Sequence, residues 1–141
     1  MKYLLFLIPI LLFGCDADSL TKRYIKPTNG YAQMVVIEQK SQKTLHISGQ
    51  IGEGANLDAQ MRDVLHKLED LLQREGGEYT DLVKINTYIV DYEPEDLNVF
   101  RNVRKEIFTD AITPASTLVG VTSLALPAWL IEIDAVAVIE K

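Results

Sequence analysis

The sequence contains few residues that could form disulfides or bind a metal ion. Its 141 residues include one cysteine, Cys15, and two histidines, His46 and His66. A single cysteine cannot form a disulfide within the chain, and a tetrahedral Cys/His zinc site would lack ligands. We therefore expect a domain that is stabilised by its apolar core, without structural zinc.

Positive charge is also scarce, and it is not clustered. The chain has 14 Lys and Arg residues against 20 Asp and Glu residues, which gives a formal net charge of -6. Proteins that bind nucleic acids neutralise phosphates with runs or patches of Lys and Arg, so we expect no nucleic-acid partner. The chain length and the 48% hydrophobic composition suit one globular domain.

Long apolar segments are also lacking, so a membrane-spanning anchor is the weaker interpretation of the N-terminus. The segment Tyr3–Phe13 follows the basic residue Lys2, and it is shorter than the roughly 20 residues that a transmembrane helix requires. A basic start followed by a short apolar segment is typical of an export signal. The sequence Leu12-Phe13-Gly14-Cys15 resembles a bacterial lipobox, in which the cysteine is lipidated and becomes the N-terminus after cleavage.

The N-terminus therefore predicts a lipoprotein of the bacterial cell envelope. We interpret residues 1–15 as signal peptide and lipobox, with lipid on Cys15 holding the protein on the periplasmic or extracytoplasmic face of a membrane. The alternative is an ordinary cleaved signal in which the cysteine is incidental. Residues 16–28 are polar and lack periodicity, which predicts a tether to a folded domain at residues 29–141.

The first part of the domain predicts a hairpin and a helix. The segments Gln33–Glu38 and Thr44–Ser48 are β-rich and flank a polar stretch, as the two strands of a hairpin do. Apolar residues recur at helical spacing over Met61–Leu72, and Gly76-Gly77 then predicts the end of that helix.

The second part of the domain predicts a strand at Leu82–Val90 and a helix that opens near Pro94 and runs to Phe108. Two further strands, Ser116–Leu124 and Leu130–Ile139, complete the chain. The predicted order is β, β, α, β, α, β, β. This order indicates an α+β fold with a mixed sheet and both helices packed on one face.

Short segments along this pattern resemble, in order, the motifs of the Rid/YjgF family. That family shows Gly-Pro-Tyr-Ser-Gln-Ala, Ser-Gly-Gln-Ile, Val-Val-Lys, Pro-Ala-Arg-Ser and Val-Glu-Ile-Glu-Ala segments. The corresponding segments here are Asn29-Gly30-Tyr31-Ala32-Gln33, Ser48-Gly49-Gln50-Ile51, Leu82-Val83-Lys84, Pro114-Ala115-Ser116-Thr117 and Ile131-Glu132-Ile133-Asp134-Ala135. The resemblance implies a chorismate-mutase-like fold and a homotrimer with ligand sites in the clefts between subunits.

The resemblance also implies a reaction. Deaminating members hydrolyse 2-imino acids to 2-keto acids and ammonia: an arginine holds the substrate carboxylate, a carboxylate of the last strand activates water, and no metal or organic cofactor is required. By this resemblance Tyr31, Ser48 and Gly49 bind the substrate, and Asp134 is the catalytic carboxylate. The implied ligand is a small anionic metabolite such as a 2-imino or 2-keto acid.

The resemblance breaks down at the substrate-binding arginine. Ser116 occupies that position, and a hydroxyl cannot replace a guanidinium as a clamp for a carboxylate. Arg101 of the second helix falls where deaminating members carry an asparagine near the ligand, so we expect Arg101 to supply the missing cation beside Ser116. Arg104 is the weaker candidate, because its stripe points towards the core. The alternative is that Arg101 is solvated and activity has been lost.

Three functions follow from these residues. The favoured one is an imine or enamine deaminase tethered to the envelope. The alternatives are a non-catalytic trimer that binds small carboxylates, and a structural or holdase-like protein whose cleft is vestigial. Ser116 disfavours the enzyme, whereas Arg101 together with Asp134 favours it.

Overall fold

The strands and helices follow the sequence pattern, with one strand added at the N-terminus. The computed structural model describes residues 19–28, 30–108 and 113–141. A short 3-10 helix at Tyr79–Asp81 precedes the fourth strand. The main elements are β1 (Thr21–Thr28), β2 (Tyr31–Glu38), β3 (Gln42–Ile51), α1 (Leu57–Arg74), β4 (Leu82–Val90), α2 (Asp96–Ile107), β5 (Ala115–Val121) and β6 (Ile131–Glu140).

The strands form one mixed, 6-stranded sheet in the order β1-β2-β3-β6-β4-β5. Neighbouring strands are antiparallel except β4 and β5, which are parallel and are connected through α2. The register between β3 and β6 shifts between Ile47 and Gln50. Gly49 therefore lies at a bulge, where the backbone of β3 departs from regular pairing.

Both helices pack on the same face of this sheet. A single cluster of buried apolar side chains joins them to the sheet, and along β6 every second residue from Ile131 to Ile139 belongs to it. The buried apolar residues of α1 recur at helical spacing: Met61, Val64, Leu65, Leu68, Leu71 and Leu72. The predicted α+β fold, with a mixed sheet and both helices on one face, is confirmed.

The ends of α1 are determined by the residues that flank it. At the N-terminus the Asn56 side chain accepts a hydrogen bond from the Ala59 amide. At the C-terminus Gly76 adopts a φ of 82°, and the Gly77 amide donates a hydrogen bond back to the Leu72 carbonyl. Only glycine adopts such a left-handed cap without strain, which confirms the predicted end of the helix at this glycine pair.

The predicted tether at residues 16–28 is wrong over its second half. Residues Thr21–Thr28 form β1, which pairs with β2. Because β1 is an edge strand and its residues are exposed except for the half-buried Ile25, it lacks the apolar alternation that predicts a strand. An ion pair of 2.6 Å between Arg23 and Glu75 also attaches β1 to the end of α1. The folded domain thus begins near residue 21; residues 16–18 lie outside the described part.

The remaining predicted elements differ from the structure mainly at their ends. The strand predicted at Ser116–Leu124 is observed at Ala115–Val121, because its partner β4 ends at Val90, opposite Val121. The predicted signal peptide, lipobox and lipidation at Cys15 lie outside the described residues. Within the described part, no helix combines the length and the apolar character needed to cross a membrane.

A buried glutamine fixes the loop that leads into β6. Gln60 of α1 is 4% exposed, and its Nε2 donates hydrogen bonds to the carbonyls of Gly54 and Ala128. Its Oε1 accepts a hydrogen bond from the Leu130 amide. These contacts satisfy the buried amide group, and they position the start of the strand that carries the acidic residues described below.

Candidate functional site

The acidic residues of β6 project from the face of the sheet opposite the helices. Pairing of β4 with β6 places Tyr88 opposite Glu132 and Asn86 opposite Asp134, so the four side chains point the same way. The residues between them, such as Ile133, belong to the helix-covered core. We call the surface around these four side chains the open face.

Gly49 and Glu132 are in direct contact. A Cβ atom at position 49 would overlap the Glu132 side chain, whose Oε1, Cδ and Cγ are the nearest atoms. The bulge of β3 brings the backbone close to β6 at this point. The absence of a side chain at position 49 therefore leaves the space that the Glu132 carboxylate occupies.

The carboxylates of the open face interact with each other and with their neighbours on β4. Asp134 Oδ1 accepts a hydrogen bond of 2.8 Å from Asn86 Nδ2. Partial burial and, to a smaller extent, the negative charge of Asp134 raise the pKa of Glu132. The charge of Asp134, together with burial and a hydrogen bond to Asp134, also raises the pKa of Tyr88. A raised pKa makes the Glu132 carboxylate a stronger base than an ordinary glutamate, which suits a group that accepts and returns a proton.

Two of the predicted ligand-binding residues, Tyr31 and Gly49, line one cavity of about 410 Å³ between α1 and the first three strands. The Tyr31 side chain is 63% exposed. The Ser48 hydroxyl donates a hydrogen bond of 2.7 Å to the Ala32 carbonyl, which fixes the start of β2 against β3. The structure therefore brings Tyr31, Ser48 and Gly49 to one end of the β2–β3 hairpin, and Glu132 lies against Gly49 there.

The two arginines of α2 have different environments. Arg101 is exposed and forms no hydrogen bond or ion pair with the residues that the structure describes. Arg104 is half-buried, and its Nη1 donates a hydrogen bond of 3.2 Å to Ser116 Oγ. Its Cζ lies 5.3 Å from the ring centroid of Phe100 and 5.2 Å from that of Phe108. The cation beside Ser116 is thus Arg104, the weaker candidate from the sequence.

Arg104 and Glu132 do not meet within one chain. Ser116 pairs with the buried Ile85 of β4, which places its side chain and the bound Arg104 on the helix-covered side of the sheet edge. Glu132 projects from the open face. A site that contains both groups is therefore most simply built from two copies of the chain.

Known proteins share both the sequence pattern and the fold. A family model described as Endoribonuclease L-PSP matches residues 21–139. The structure of YyfB from Yersinia pestis, described as a protein of the conserved Rid family, is 33% identical to this chain with a TM-score of 0.64, and the match covers 82% of this chain and 97% of that one. The chain belongs to the Rid/YjgF family. The family predicted from the motifs is therefore confirmed.

Other structures of the Rid/YjgF family show the same fold. Rv2704 from Mycobacterium tuberculosis, a member of the YjgF/YER057c/UK114 family, is 28% identical with a TM-score of 0.70 over 84% of this chain and 98% of that one. RidA from the Antarctic bacterium Psychrobacter sp. PAMC 21119 is 24% identical with a TM-score of 0.68 over 79% of this chain and 89% of that one. The family match starts at residue 21, which agrees with β1 as part of the Rid/YjgF domain.

Sequence reasoning did not favour Glu132 as the catalytic carboxylate, and it ranked Arg104 below Arg101 as the ligand cation. Glu132 and Asp134 share one strand face, so the alternation of β6 could not decide between them; the contact with Gly49 distinguishes Glu132. The signal for Arg104 was present, because an arginine on an apolar helical stripe must find a partner. No observation in the described structure tests the two predictions from the motifs, Asp134 as catalytic carboxylate and Arg101 as ligand cation.

Proposed function

We propose that this Rid/YjgF protein hydrolyses 2-imino acids to 2-keto acids and ammonia. The observation that supports the proposal is the state of Glu132: its carboxylate is half-buried, lies against the Gly49 backbone and has a raised pKa. A carboxyl group of this kind can accept a proton from water and return it to a leaving group. The proposed reaction uses no metal and no organic cofactor.

In this reaction, water adds to the imine carbon. The Glu132 carboxylate takes a proton from the attacking water and delivers it to the imine nitrogen, which gives a carbinolamine. The hydroxyl proton of the carbinolamine then passes through the same carboxylate to nitrogen, the C–N bond breaks, and ammonia leaves with a 2-keto acid. Burial and, to a smaller extent, the charge of Asp134, the carboxylate predicted from the motif, keep the pKa of Glu132 high. Tyr31 borders the ligand.

A coupled assay tests the proposal. An amino-acid oxidase generates 2-imino acids in solution, and the release of 2-keto acid is followed with and without the protein. We expect Glu132→Gln to lower the accelerated rate by about a hundredfold or more, since general acid–base groups contribute on the order of 10²–10⁴. Glu140→Gln is the matched control, because Glu140 is an exposed residue at the end of the same strand. Wild-type protein that does not accelerate release, or equal rates for the two variants, would contradict the proposal.

A non-catalytic trimer that binds small carboxylates is the second candidate. The observation in its favour is Ser116, which stands where the family motif carries an arginine. This function predicts binding of 2-ketobutyrate without accelerated imine hydrolysis. A structural or holdase-like protein, the third candidate, would show neither binding nor hydrolysis but would reduce the aggregation of an unfolding client protein.

The family description names an endoribonuclease. The net charge of -6 gives no support for binding to a phosphate backbone. Cleavage of labelled RNA is compared between the wild-type protein and Glu132→Gln. Cleavage that the substitution abolishes would identify RNA, and not an imino acid, as the substrate of this site.

We also propose that lipid on Cys15 anchors the protein in the bacterial cell envelope. The apolar segment Tyr3–Phe13 and the lipobox-like residues that end at Cys15 support this proposal. Incorporation of labelled palmitate and partition into membranes are measured for the wild type and for Cys15→Ser. Both should be lost in the variant, and labelling that persists would contradict lipidation at Cys15.

A homotrimer is the third part of the proposal. Large side chains remain exposed on the open face and its continuation across β1 and β2, among them Tyr24 at 61% and Val119 at 41%. Association of copies through this face would bury them. Light scattering should give the mass of a trimer, whereas the mass of a monomer at micromolar concentration would contradict this part of the proposal.

A further inference from the structure

Arg104 differs from the arginines that form ion pairs in the described part of the chain. Arg23 binds the carboxylate of Glu75, and Arg62 binds those of Asp58 and Glu106. Arg104 has no carboxylate partner among the described residues, although it is half-buried, and burial lowers its pKa. A partly buried guanidinium without a counter-ion is in a position where an anionic ligand would be favoured.

The guanidinium of Arg104 is held by aromatic rings, with its centre within 5.3 Å of the Phe100 centroid and 5.2 Å of the Phe108 centroid. Phe108 in turn packs against Tyr79 with a centroid distance of 5.0 Å, and the Tyr79 hydroxyl donates a hydrogen bond to the Leu65 carbonyl of α1. The position of Arg104 is therefore linked to the core. Such an arrangement reduces the conformational entropy that an arginine loses when it binds a ligand.

The contact between Arg104 and Ser116 leaves both groups able to bind an anion. Arg104 Nη1 is the donor and Ser116 Oγ the acceptor, so the hydrogen of the Ser116 hydroxyl remains free to donate. The other N–H groups of Arg104 are directed at no carboxylate within the described residues. The other N–H groups of Arg104 and the Ser116 hydroxyl are thus neighbouring donors available to the oxygens of a carboxylate.

We propose that Arg104 and Ser116 form the carboxylate-binding part of the site, with the cation supplied by α2 in place of the arginine that the family motif carries on β5. This inference rests on the proposed function for the class of ligand. Arg104 binds the carboxylate of the 2-imino or 2-keto acid, and the Ser116 hydroxyl donates the second hydrogen bond. Arg101, which is exposed and has no described partner, does not contribute.

Calorimetric titration with 2-ketobutyrate, which has no imine to hydrolyse, measures binding separately from catalysis. Arg104→Met removes the charge but keeps an apolar stem for the two phenylalanine rings, so it should fold. We expect Arg104→Met to weaken binding about tenfold to a hundredfold, as loss of a hydrogen-bonded charge does, and Ser116→Ala to weaken it less, by up to about tenfold. Arg101→Met is the matched control on the same helix and should bind like the wild type.

Wild-type affinity in Arg104→Met, or an equal loss in Arg101→Met, would overturn the inference. A second variant moves the cation back to the strand: Arg104→Asn combined with Ser116→Arg should bind more tightly than Arg104→Asn alone. If the double variant has the melting temperature of the single variant and binds no better, the two positions do not face one ligand. If the wild type binds 2-ketobutyrate through Arg104 but does not hydrolyse imines, only the proposed enzymatic function is wrong. If the wild type hydrolyses imines and Arg104→Met does so equally well, only this inference is wrong.

Discussion

Substitution of Gly49 by alanine should destabilise the domain through one neighbour, the Glu132 carboxylate. A Cβ at position 49 would overlap the last three groups of the Glu132 side chain, Cγ, Cδ and Oε1, so that side chain must leave its position. Because the atoms that clash are the far end of a flexible, half-buried side chain, Glu132 can turn away, and we expect a cost at the lower end of overpacking, about 1 kcal/mol. For a domain of this length, that cost corresponds to a decrease in melting temperature of roughly 3–5 °C.

A double-mutant cycle separates this contact from other effects of alanine. Glu132→Ala removes the crowding atoms, so Gly49→Ala should cost less than about 0.5 kcal/mol in that background, and the coupling energy should be at least about 0.5 kcal/mol. Gly76→Ala is the control: its Cβ meets no neighbour within 4 Å, and its cost comes from a φ of 82°. Chemical denaturation of the four proteins measures the cycle. An equal cost of Gly49→Ala with and without Glu132 would refute the assigned contact.

Further predictions concern proton binding, a buried amide and the domain boundary. Because the pKa of Glu132 is raised, folding loses stability as the pH rises above the ordinary value of about 4.3, and Glu132→Gln should raise the melting temperature at neutral pH but not near pH 4; equal effects at both would contradict this sign. Gln60→Leu, which removes three hydrogen bonds, should cost about 2–4 kcal/mol in urea denaturation, and an unchanged midpoint would contradict it. A chain that starts at residue 19 should keep full stability, whereas one that starts at residue 29 loses β1 and should lose at least about 1.5 kcal/mol or aggregate; equal stability would argue for a tether.

Regular amphipathic patterns predicted most of the fold. The helical spacing in α1 and the alternation of β6 each arise because one face of the element is buried, and the glycine pair marks the end of α1. β1 was missed because an edge strand that is largely exposed on both sides shows no alternation of apolar and polar residues. Its place in the sheet depends on pairing with β2 and on the ion pair between Arg23 and Glu75, which join residues distant in sequence.

The candidate site was predictable at the level of segments and not of individual side chains. The motifs pointed to the turn and the strand that carry Gly49 and Glu132, but the contact between these two residues depends on a bulge whose register the sequence does not specify. The choice between Arg101 and Arg104 depended on the rotation of α2 about its axis. A rotation of α2 by part of a turn decides which of the two arginines reaches Ser116. The packing of Arg104 against Phe100 and Phe108 determines that rotation.

The most direct measurement is complementation between two defective chains. Arg104→Met and Glu132→Gln proteins, each with little imine hydrolysis alone, are unfolded together, refolded as mixed oligomers and assayed. If each site takes Arg104 from one copy and Glu132 from the next, random mixing should restore about a quarter of the wild-type activity. Mixed oligomers that stay as inactive as the separate variants would contradict a site shared between neighbouring copies.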